Sequence, residues 1–369
     1  MTDSAPRTTA STTAGTEPTA GPTAEPTAEP TAEPTADPIH ADPAVEDDYD
    51  PDEIQSLLTS STASVTDSVR EYRLLHGRTY TQKTNYWAPN DEQQNDAMDF
   101  NHYWVTDFLG DRLFVAPIGD NPQRVLDLGT GTGIWAIDFA DQFPSADVIG
   151  VDISPIQPSW VPPNCRFQID DFEQPWTFSD PFDFIHARNL EGCIADLPGF
   201  FRQIYDNTRP GGWFEIVEFD PEARSQSLGD RLGADHIFRR WYRYLETAST
   251  KMGKPHGNAA NRRLHGGMAA AGFVDVAELK WTIPIGAWPA DPDMKRLGVC
   301  NLEYIEQALE GFGLFLLREA LGFSYEEVQV TLAEMRAALR NPKNMPFYYM
   351  HAVYGRKPGK GQESVPTGA

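Results

Sequence analysis

The stretch Val125-Leu-Asp-Leu-Gly-Thr-Gly-Thr-Gly133 runs from an apolar segment into a turn that contains three glycines. The segment Arg124–Leu128 has the composition of a buried strand, and Ile134–Gln142 after the turn is patterned as a helix. Glycines in such a turn adopt backbone conformations barred to other residues and let the backbone lie against a ligand. Open α/β sheets bind nucleotides where a strand ends in such a turn, so the stretch predicts both a fold class and a ligand site.

Short apolar runs alternate with helical stretches after this turn. Parallel strands joined by right-handed helical crossovers give this alternation, so we predict a doubly wound, mostly parallel, seven-stranded α/β sheet. The strands are predicted at Arg124–Leu128, Asp147–Val151, Arg166–Ile169, Phe182–His186, Trp213–Val217, Phe273–Leu279 and Phe347–Tyr354. The helices are predicted at Ile134–Gln142, Leu197–Thr208, 229–252 and 259–271, and through most of 293–340.

Two further helices are predicted before the sheet. Ser64–His76 carries apolar residues at helical spacing and is followed by Gly77, a common helix end. The second helix is predicted to start with Asn90 as its N-cap and Gln93 three residues on, and to continue to Leu109.

Composition divides the chain into a tail and a domain. Residues 1–55 contain thirteen acidic residues against one basic residue, and an EPTA-type repeat places prolines four residues apart. Such a segment lacks the apolar side chains that would offset the entropy of ordering. We therefore predict a disordered tail at 1–60, a domain at 61–357 with a helical cover at 61–112 and a helical substrate region at 229–345, and a flexible tail at 358–369.

The overall charge argues against several protein classes. Against 30 basic residues the chain has 54 acidic ones, so it lacks the basic surface that nucleic acids and anionic membranes need. No run approaches the ~18 apolar residues of a membrane-spanning helix, and the N-terminus lacks the apolar core of a secretory signal. Cys165, Cys193 and Cys300 are far apart, so we expect no disulfides, no metal site and an intracellular location, cytoplasmic or nuclear.

Spacing and charge in the glycine turn indicate the kind of ligand. A dinucleotide-binding turn needs its third glycine at position 134, where this chain has Ile134. Asp127 lies two residues before the first glycine, where a carboxylate would oppose a pyrophosphate and attract an ammonium group. S-adenosylmethionine carries an ammonium group, a sulfonium and no phosphate, so it is the predicted cofactor.

Acidic residues also follow the next two strands. Asp152 ends the second strand, where its carboxylate is placed to accept hydrogen bonds from both hydroxyls of a ribose. Asp170 and Asp171 follow the third strand, and a carboxylate there would accept the exocyclic amine of adenine, with Phe172 packed on the ring. Carboxylates at three successive strand ends predict one cofactor site.

Polar residues after the fourth and fifth strands leave alternatives open. His186 is either a general base, since histidine titrates near neutral pH, or a buried strand residue with a structural hydrogen bond. Arg188 either holds the cofactor or an acidic substrate, or forms a structural ion pair. Glu218 either faces the substrate or caps its strand.

The motifs resemble those of class I S-adenosylmethionine-dependent methyltransferases: VLDLGTGTG (125–133), GVDIS (150–154), QIDDFEQPW (168–176), FDFIHARNL (182–190) and TRPGGWFEIVE (208–218). The flanking segments EYRLLHGRTY, NDEQQNDAMDFNH, RLFVAPIG and MPFYYMHAVYGRKP are similar to those of the fungal LaeA-like methyltransferases, over roughly residues 62–357.

The resemblance implies roles for residues of this chain. The methionine part of the cofactor would lie on Asp127, Gly129, Thr130, Gly131 and Gly133, the ribose on Asp152 beside Ile153, and the adenine on Asp171 beside Phe172. It also implies that 62–112 packs over the cofactor cleft, where Tyr80 either lines the cleft or belongs to the core.

The expected function is methyl transfer to oxygen or nitrogen of a small-molecule acceptor in fungal secondary-metabolite biosynthesis. Aromatic residues between 220 and 345 would form an apolar acceptor pocket or plain core. The alternative is a LaeA-like nuclear regulator of secondary metabolism that acts through protein partners.

Overall fold

A computed structural model describes residues 73–81, 86–359 and 361. The predicted tail at 1–60 lies outside these residues, as does most of the predicted tail at 358–369. No helix in the described part is both long enough and apolar enough to span a bilayer.

The centre of the domain is the predicted, mostly parallel sheet. Its strands are β3 (Arg124–Leu128), β4 (Asp147–Asp152), β5 (Cys165–Ile169), β6 (Phe182–Arg188), β7 (Thr208–Phe219), β8 (Arg224–Ser225), β9 (Val274–Pro284) and β10 (Pro346–Arg356). They lie in the order β5-β4-β3-β6-β7-β10, and both β8 and β9 pair with β10. Strands β3 to β7 are parallel to one another, whereas β10 is antiparallel to β7, β8 and β9. The seven predicted strands are confirmed, and the two-residue β8 is an addition.

Helices cover both faces of the sheet and its carboxyl-terminal edge. They are α1 (Glu92–Phe108), α2 (Ile134–Gln142), α3 (Leu197–Asn207), α4 (Ile237–Lys251), α5 (Arg263–Ala270), α6 (Pro292–Phe315) and α7 (Tyr325–Arg340). A π-helical turn, Leu316–Ala320, continues α6, and short 3-10 turns lie at Gly229–Arg231 and Pro342–Asn344.

The predicted N-cap of α1 is wrong by one residue. Asp91 caps the helix, because its carboxylate accepts a hydrogen bond from Gln94 N at 3.0 Å and also pairs with the Arg78 guanidinium. The side-chain oxygen of Asn90 instead accepts a hydrogen bond from Thr79 Oγ1, at 2.9 Å. The ion pair with Arg78, thirteen residues away in the sequence, accompanies the choice of Asp91 as the N-cap, and no local sequence pattern indicates this pair.

The helix predicted over 64–76 is also wrong where the structure describes it. Arg73–Leu75 (β1) and Arg78–Tyr80 (β2) form an antiparallel hairpin, and residues 64–72 lie outside the described part. His76 and Gly77, between the strands, both have positive φ, at 47° and 85°. Two such residues form the turn that suits a tight hairpin, so the glycine marks a turn here and not a helix end.

Side chains alternate between the two faces of the sheet, and each face has its own core. Leu126 and Leu128 pack with residues of α3 and α5, including Phe201 and Met268. Val125 points to the opposite face and packs with residues of α2. A third cluster joins α1, α4, α6 and α7 to the ends of β9 and β10. This third layer covers the edge of the sheet at which the parallel strands end.

The packing of the third layer can be tested at Gly298, with Gly266 as a comparison outside that layer. A Cβ at Gly298, on α6, would overlap the carbonyl oxygen of Gly286, whereas a Cβ at the exposed Gly266, on α5, would meet no atom within 4 Å. We expect Gly298→Ala to lower the free energy of unfolding by about 1–3 kcal/mol because the backbones must separate. Gly266→Ala should raise it by about 0.4–1 kcal/mol through the unfolded chain. Equilibrium unfolding in urea measures both, and equal effects would contradict the packing described.

Candidate functional site

A cavity of about 280 Å³ opens at the carboxyl ends of β3, β4, β6 and β7 and continues between α1, α4, α6 and α7. Gly133 does not line it: this residue is the N-cap of α2 and lies against the ring of Phe167. The other predicted site residues do line it: Asp127, Gly129, Thr130, Gly131, Asp152, Ile153, Asp171, Phe172, His186 and Arg188. The structure therefore brings together residues that are up to 61 positions apart in the sequence.

The glycine turn lies open to the cavity. Gly129 and Gly131 both have positive φ, at 65° and 57°. A Cβ at Gly129 would come within 2.6 Å of Leu190 Cδ2, whereas a Cβ at Gly131 would meet nothing within 4 Å. The turn thus combines a close contact on one side with bare backbone on the cavity side, as a ligand-binding turn requires.

Asp127 is buried, and each of its carboxylate oxygens has a partner. Oδ2 accepts a hydrogen bond from Thr130 Oγ1 at 2.6 Å, and Oδ1 lies 2.8 Å from His186 Nδ1. The imidazole of His186 stacks on the Trp135 indole, with ring centroids 3.8 Å apart. Burial lowers the pKa of His186, and its hydrogen bond to the Asp127 carboxylate opposes this shift. A neutral imidazole with its proton on Nδ1 fits this arrangement.

Asp152 fixes the turn from the neighbouring strand. Its carboxylate accepts hydrogen bonds from Gly131 N at 2.9 Å and Ser154 N at 2.8 Å. Burial raises the pKa of Asp152 to about 6, although both backbone hydrogen bonds act to lower it. Each carboxylate oxygen has a second lone pair, so the group can still accept hydrogen bonds from a ligand in the cavity.

The residues after β5 form the outer wall of the cavity. Asp171 accepts hydrogen bonds from Glu173 N at 3.0 Å and from the amide of Gln174. Phe172 packs its ring against Phe200, with centroids 5.6 Å apart, and one face of the wall is therefore aromatic. Asp170 lies outside the cavity lining.

Arg188 places a guanidinium on the cavity wall. Its Nη2 lies 2.8 Å from His102 Nδ1, and His102 Nε2 lies 2.9 Å from the Asp138 carboxylate. Burial lowers the pKa of both Arg188 and His102. No carboxylate among the described residues forms an ion pair with Arg188, so the structural ion pair considered for it is absent from this part of the chain.

Two buried glutamates brace the loops on the far side of the cavity. Glu218 accepts hydrogen bonds from Leu190 N at 2.7 Å and Glu191 N at 3.2 Å, so it both lines the cavity and caps a loop. Glu191 accepts from Gly257 N at 3.0 Å and Ala259 N at 2.8 Å. Burial raises the pKa of Glu191 to about 7 and holds the pKa of Glu218 well above its usual range.

The part of the cavity below the helices is mostly aromatic and aliphatic. Tyr80 is not in it, since this side chain is fully buried in the core against Phe315. The apolar residues that line this part include Trp87, Met98, Trp241, Leu245, Ile285, Tyr304, Leu309, Phe312, Met335 and Leu339. The aromatic segment 220–345 thus supplies both core and cavity wall.

His256 and Glu191 belong to the cavity, and the motifs did not predict them. His256 stands between a proline and a glycine, in a loop without periodicity or a partner pattern. Only the hydrogen bonds from Gly257 and Ala259 to the Glu191 carboxylate reveal that this loop adjoins the end of β6.

The charges of the cavity decide which cofactors fit. Three carboxylates, from Asp127, Asp152 and Asp171, surround the glycine turn, and Lys254, the one lysine in the lining, pairs with Glu173. Arg188, at the end of β6, is the one arginine in the described lining, so carboxylates outnumber the cationic side chains around the turn. The residues suit a cofactor that carries a positive charge, a ribose and a purine.

Comparison with known proteins agrees with this geometry. A family model described as a methyltransferase domain matches residues 100–317. The chain is 37% identical over 303 residues to the methyltransferase pytC of Aspergillus terreus, across 81% of this chain and 92% of that protein. It is 34% identical over 280 residues to the secondary metabolism regulator LAE1 of Cochliobolus heterostrophus, across 74% and 90%.

Among solved structures, the chain is similar to phosphoethanolamine N-methyltransferase 2 of Haemonchus contortus in complex with phosphomonomethylethanolamine and S-adenosylhomocysteine. The TM-score is 0.41 and the identity is 18%, across 74% of this chain and 54% of that chain.

The fold and the family match define a methyltransferase. The chain belongs to the class I S-adenosylmethionine-dependent methyltransferases, in the group that includes the pytC methyltransferase and the LaeA-like regulators. The predicted fold class and the predicted cofactor, S-adenosylmethionine, are therefore confirmed.

The neutral state of His186 can be tested directly. Because burial outweighs the attraction of the Asp127 carboxylate, we expect His186 to titrate below the ordinary histidine value of about 6.5. NMR of the protein labelled at histidine, with the His186 signal assigned from a His186→Asn variant, gives the midpoint. A midpoint above the ordinary value would mean that an imidazolium–carboxylate pair is the stable form.

Proposed function

We propose that this methyltransferase transfers the methyl group of S-adenosylmethionine to an oxygen or nitrogen atom of a small, mainly apolar acceptor. One observation carries the proposal: a single cavity joins the acidic glycine turn to a pocket lined by aromatic and aliphatic side chains. The acceptor would enter the apolar part and meet the cofactor near the ends of β3 and β6. Similarity to the secondary metabolism regulator LAE1 supports a place in secondary metabolism.

Within the cofactor part, each strand end would contact a different portion of the ligand. The bare backbone of Gly129–Gly131 would face the methionine part, and Asp127 would add a negative charge toward its ammonium group. Asp152 would accept hydrogen bonds from the ribose, with Ile153 beside it. Asp171 and Phe172 would contact the adenine by hydrogen bonding and packing.

Arg188 complements these contacts with a positive charge. Its guanidinium lines the cavity at the end of β6 and is held by His102, which itself bonds to Asp138. A guanidinium in this position would bind the carboxylate of the methionine part or an acidic group of the acceptor.

The chemical step asks little of the protein. When bound, the cofactor supplies a methyl group on a sulfonium, which is already an activated leaving group. The chain's own residues would then act mainly by position and by exclusion of water. His186 is held by Asp127 through Nδ1 and is stacked on Trp135, while its buried Nε2 has no partner among the described residues, so its part as a general base stays a prediction.

A regulatory function remains the second candidate, because the chain is also 34% identical to the regulator LAE1. Such a protein would act in the nucleus through protein partners. The mainly apolar pocket favours a small-molecule acceptor over a protein partner. We propose that the protein acts on this acceptor in the cytoplasm.

Removal of the Asp152 carboxylate tests the contact proposed between this residue and the ribose of the cofactor. We expect Asp152→Ala to weaken binding of S-adenosylhomocysteine by about 1–3 kcal/mol, since partners are left unpaired. Asp170→Ala is the matched control, because Asp170 is exposed and follows the neighbouring strand. Calorimetry measures both, and equal losses would contradict the assigned orientation of the cofactor.

The same two variants test the acceptor class. Purified protein is incubated with S-adenosylmethionine labelled in its methyl group and with a metabolite extract. We expect label in small organic molecules with the unmodified chain and with Asp170→Ala, and much less with Asp152→Ala at limiting cofactor. Label found only in protein would favour the regulatory function.

A further inference from the structure

The loop after β6 meets the loop after α4 at one corner of the cavity. Gly192 has a φ of 73°, and a Cβ there would lie 2.5 Å from Cε1 of His256 and 3.0 Å from Nε1 of Trp87. The indole and the imidazole therefore converge on the same bare backbone, with ring centroids 6.0 Å apart. We refer to Trp87, Gly192 and His256 as the Gly192 corner. Both aromatic side chains line the cavity.

Two buried polar atoms in the Gly192 corner lack a partner. Nε1 of Trp87 and Nδ1 of His256 make no hydrogen bond to any described residue, although His256 is only 5% exposed. Folded proteins pair the great majority of buried polar groups. Two unpaired groups on neighbouring rings that both line a cavity therefore indicate a ligand that pairs with both.

The Gly192 corner is held next to the cofactor turn. The side chain of Leu190 packs directly over Gly129, the first glycine of the turn. One residue on, Glu191 accepts a hydrogen bond from Gly257 N at 3.0 Å, which ties the loop of His256 to the end of β6. Because β3 and β6 are parallel neighbours that end together, this loop faces the same edge as the glycine turn.

The two unpaired groups select the chemistry of the ligand. The Trp87 indole only donates, so the atom it meets must have a lone pair, which excludes an ammonium group. Burial lowers the pKa of His256 to about 4, so its ring is neutral at pH 7 and has one nitrogen that accepts. A carboxylate has no proton to donate to that nitrogen. A hydroxyl both accepts and donates, and is uncharged, whereas the nitrogen of a neutral aromatic amine accepts only weakly because its lone pair is delocalised into the ring.

We propose that the Gly192 corner binds an aromatic or enolic hydroxyl of the methyl acceptor, which makes the reaction an O-methylation. The proposal rests on the proposed function and specifies its substrate. Trp87 Nε1 donates to the hydroxyl oxygen, and a nitrogen of His256 accepts the hydroxyl proton. The oxygen bonds to the methyl carbon as the carbon–sulfur bond breaks. Its electron pair stays on sulfur, giving S-adenosylhomocysteine, and the proton moves to His256 and then to water.

Three matched probes test the hydroxyl preference. Binding of 1-naphthol, 1-methoxynaphthalene and 1-aminonaphthalene is measured by calorimetry on the full chain saturated with S-adenosylhomocysteine. We expect 1-naphthol to bind at least about tenfold more tightly than the other two, because the ether has no proton to donate and the aromatic amine is a weak acceptor for the Trp87 N–H. Trp87→Phe and His256→Ala should each reduce this preference to less than about threefold.

Control variants distinguish loss of the hydroxyl contact from unfolding and from loss of cofactor binding. Trp160→Phe, at a side chain 92% exposed, and His265→Ala, on α5, should keep the preference. Trp87→Phe retains an aromatic ring, so it reports on the indole N–H even if His256→Ala unfolds. Equal binding of the three probes, binding of none, or a preference that survives Trp87→Phe would overturn the hydroxyl assignment. Failure of the unmodified chain to bind S-adenosylhomocysteine would instead overturn the proposed function.

Discussion

The buried carboxylate of Asp127 imposes the constraint on which the site depends. A charge at the centre of a sheet is costly unless hydrogen bonds satisfy it, and here Thr130 Oγ1 and His186 Nδ1 do so at 2.6 and 2.8 Å. The first contact fixes the glycine turn, and the second fixes the ring of His186, which Trp135 then covers by stacking. Asp127 thus connects the glycine turn to the end of β6 and, through the ring of His186, to Trp135 in the first turn of α2.

The same use of buried acids recurs around the cavity. The Glu215 carboxylate accepts hydrogen bonds from the backbone N–H groups of Val115 and Ala116, while Glu218 and Glu191 each hold a loop in the same way. These carboxyl groups position the backbone, and Glu218 and Glu191 also line the cavity. At the glycine turn, the carboxylates of Asp127 and Asp152 both hold the backbone and disfavour a phosphate, so the groups that build the turn also favour a sulfonium cofactor.

The fold and the cofactor half of the site could be predicted from sequence, because short-range patterns encode them. The glycine turn at 125–133 combines strand, turn and helix signals in nine residues, and the structure has each of them. The hairpin at 73–80 and the cap at Asp91 were missed, since a contact with distant Arg78 and the φ angles at the turn decide them. His256 was missed because only tertiary structure brings its loop to the end of β6.

Calorimetry with S-adenosylhomocysteine and with NAD⁺ decides whether the acidic glycine turn holds a cofactor without phosphate. We expect saturable heat with S-adenosylhomocysteine and none with NAD⁺, because Asp127 opposes a pyrophosphate and Ile134 occupies the place of the third glycine. Saturable binding of NAD⁺ with no heat from S-adenosylhomocysteine would contradict this cofactor assignment.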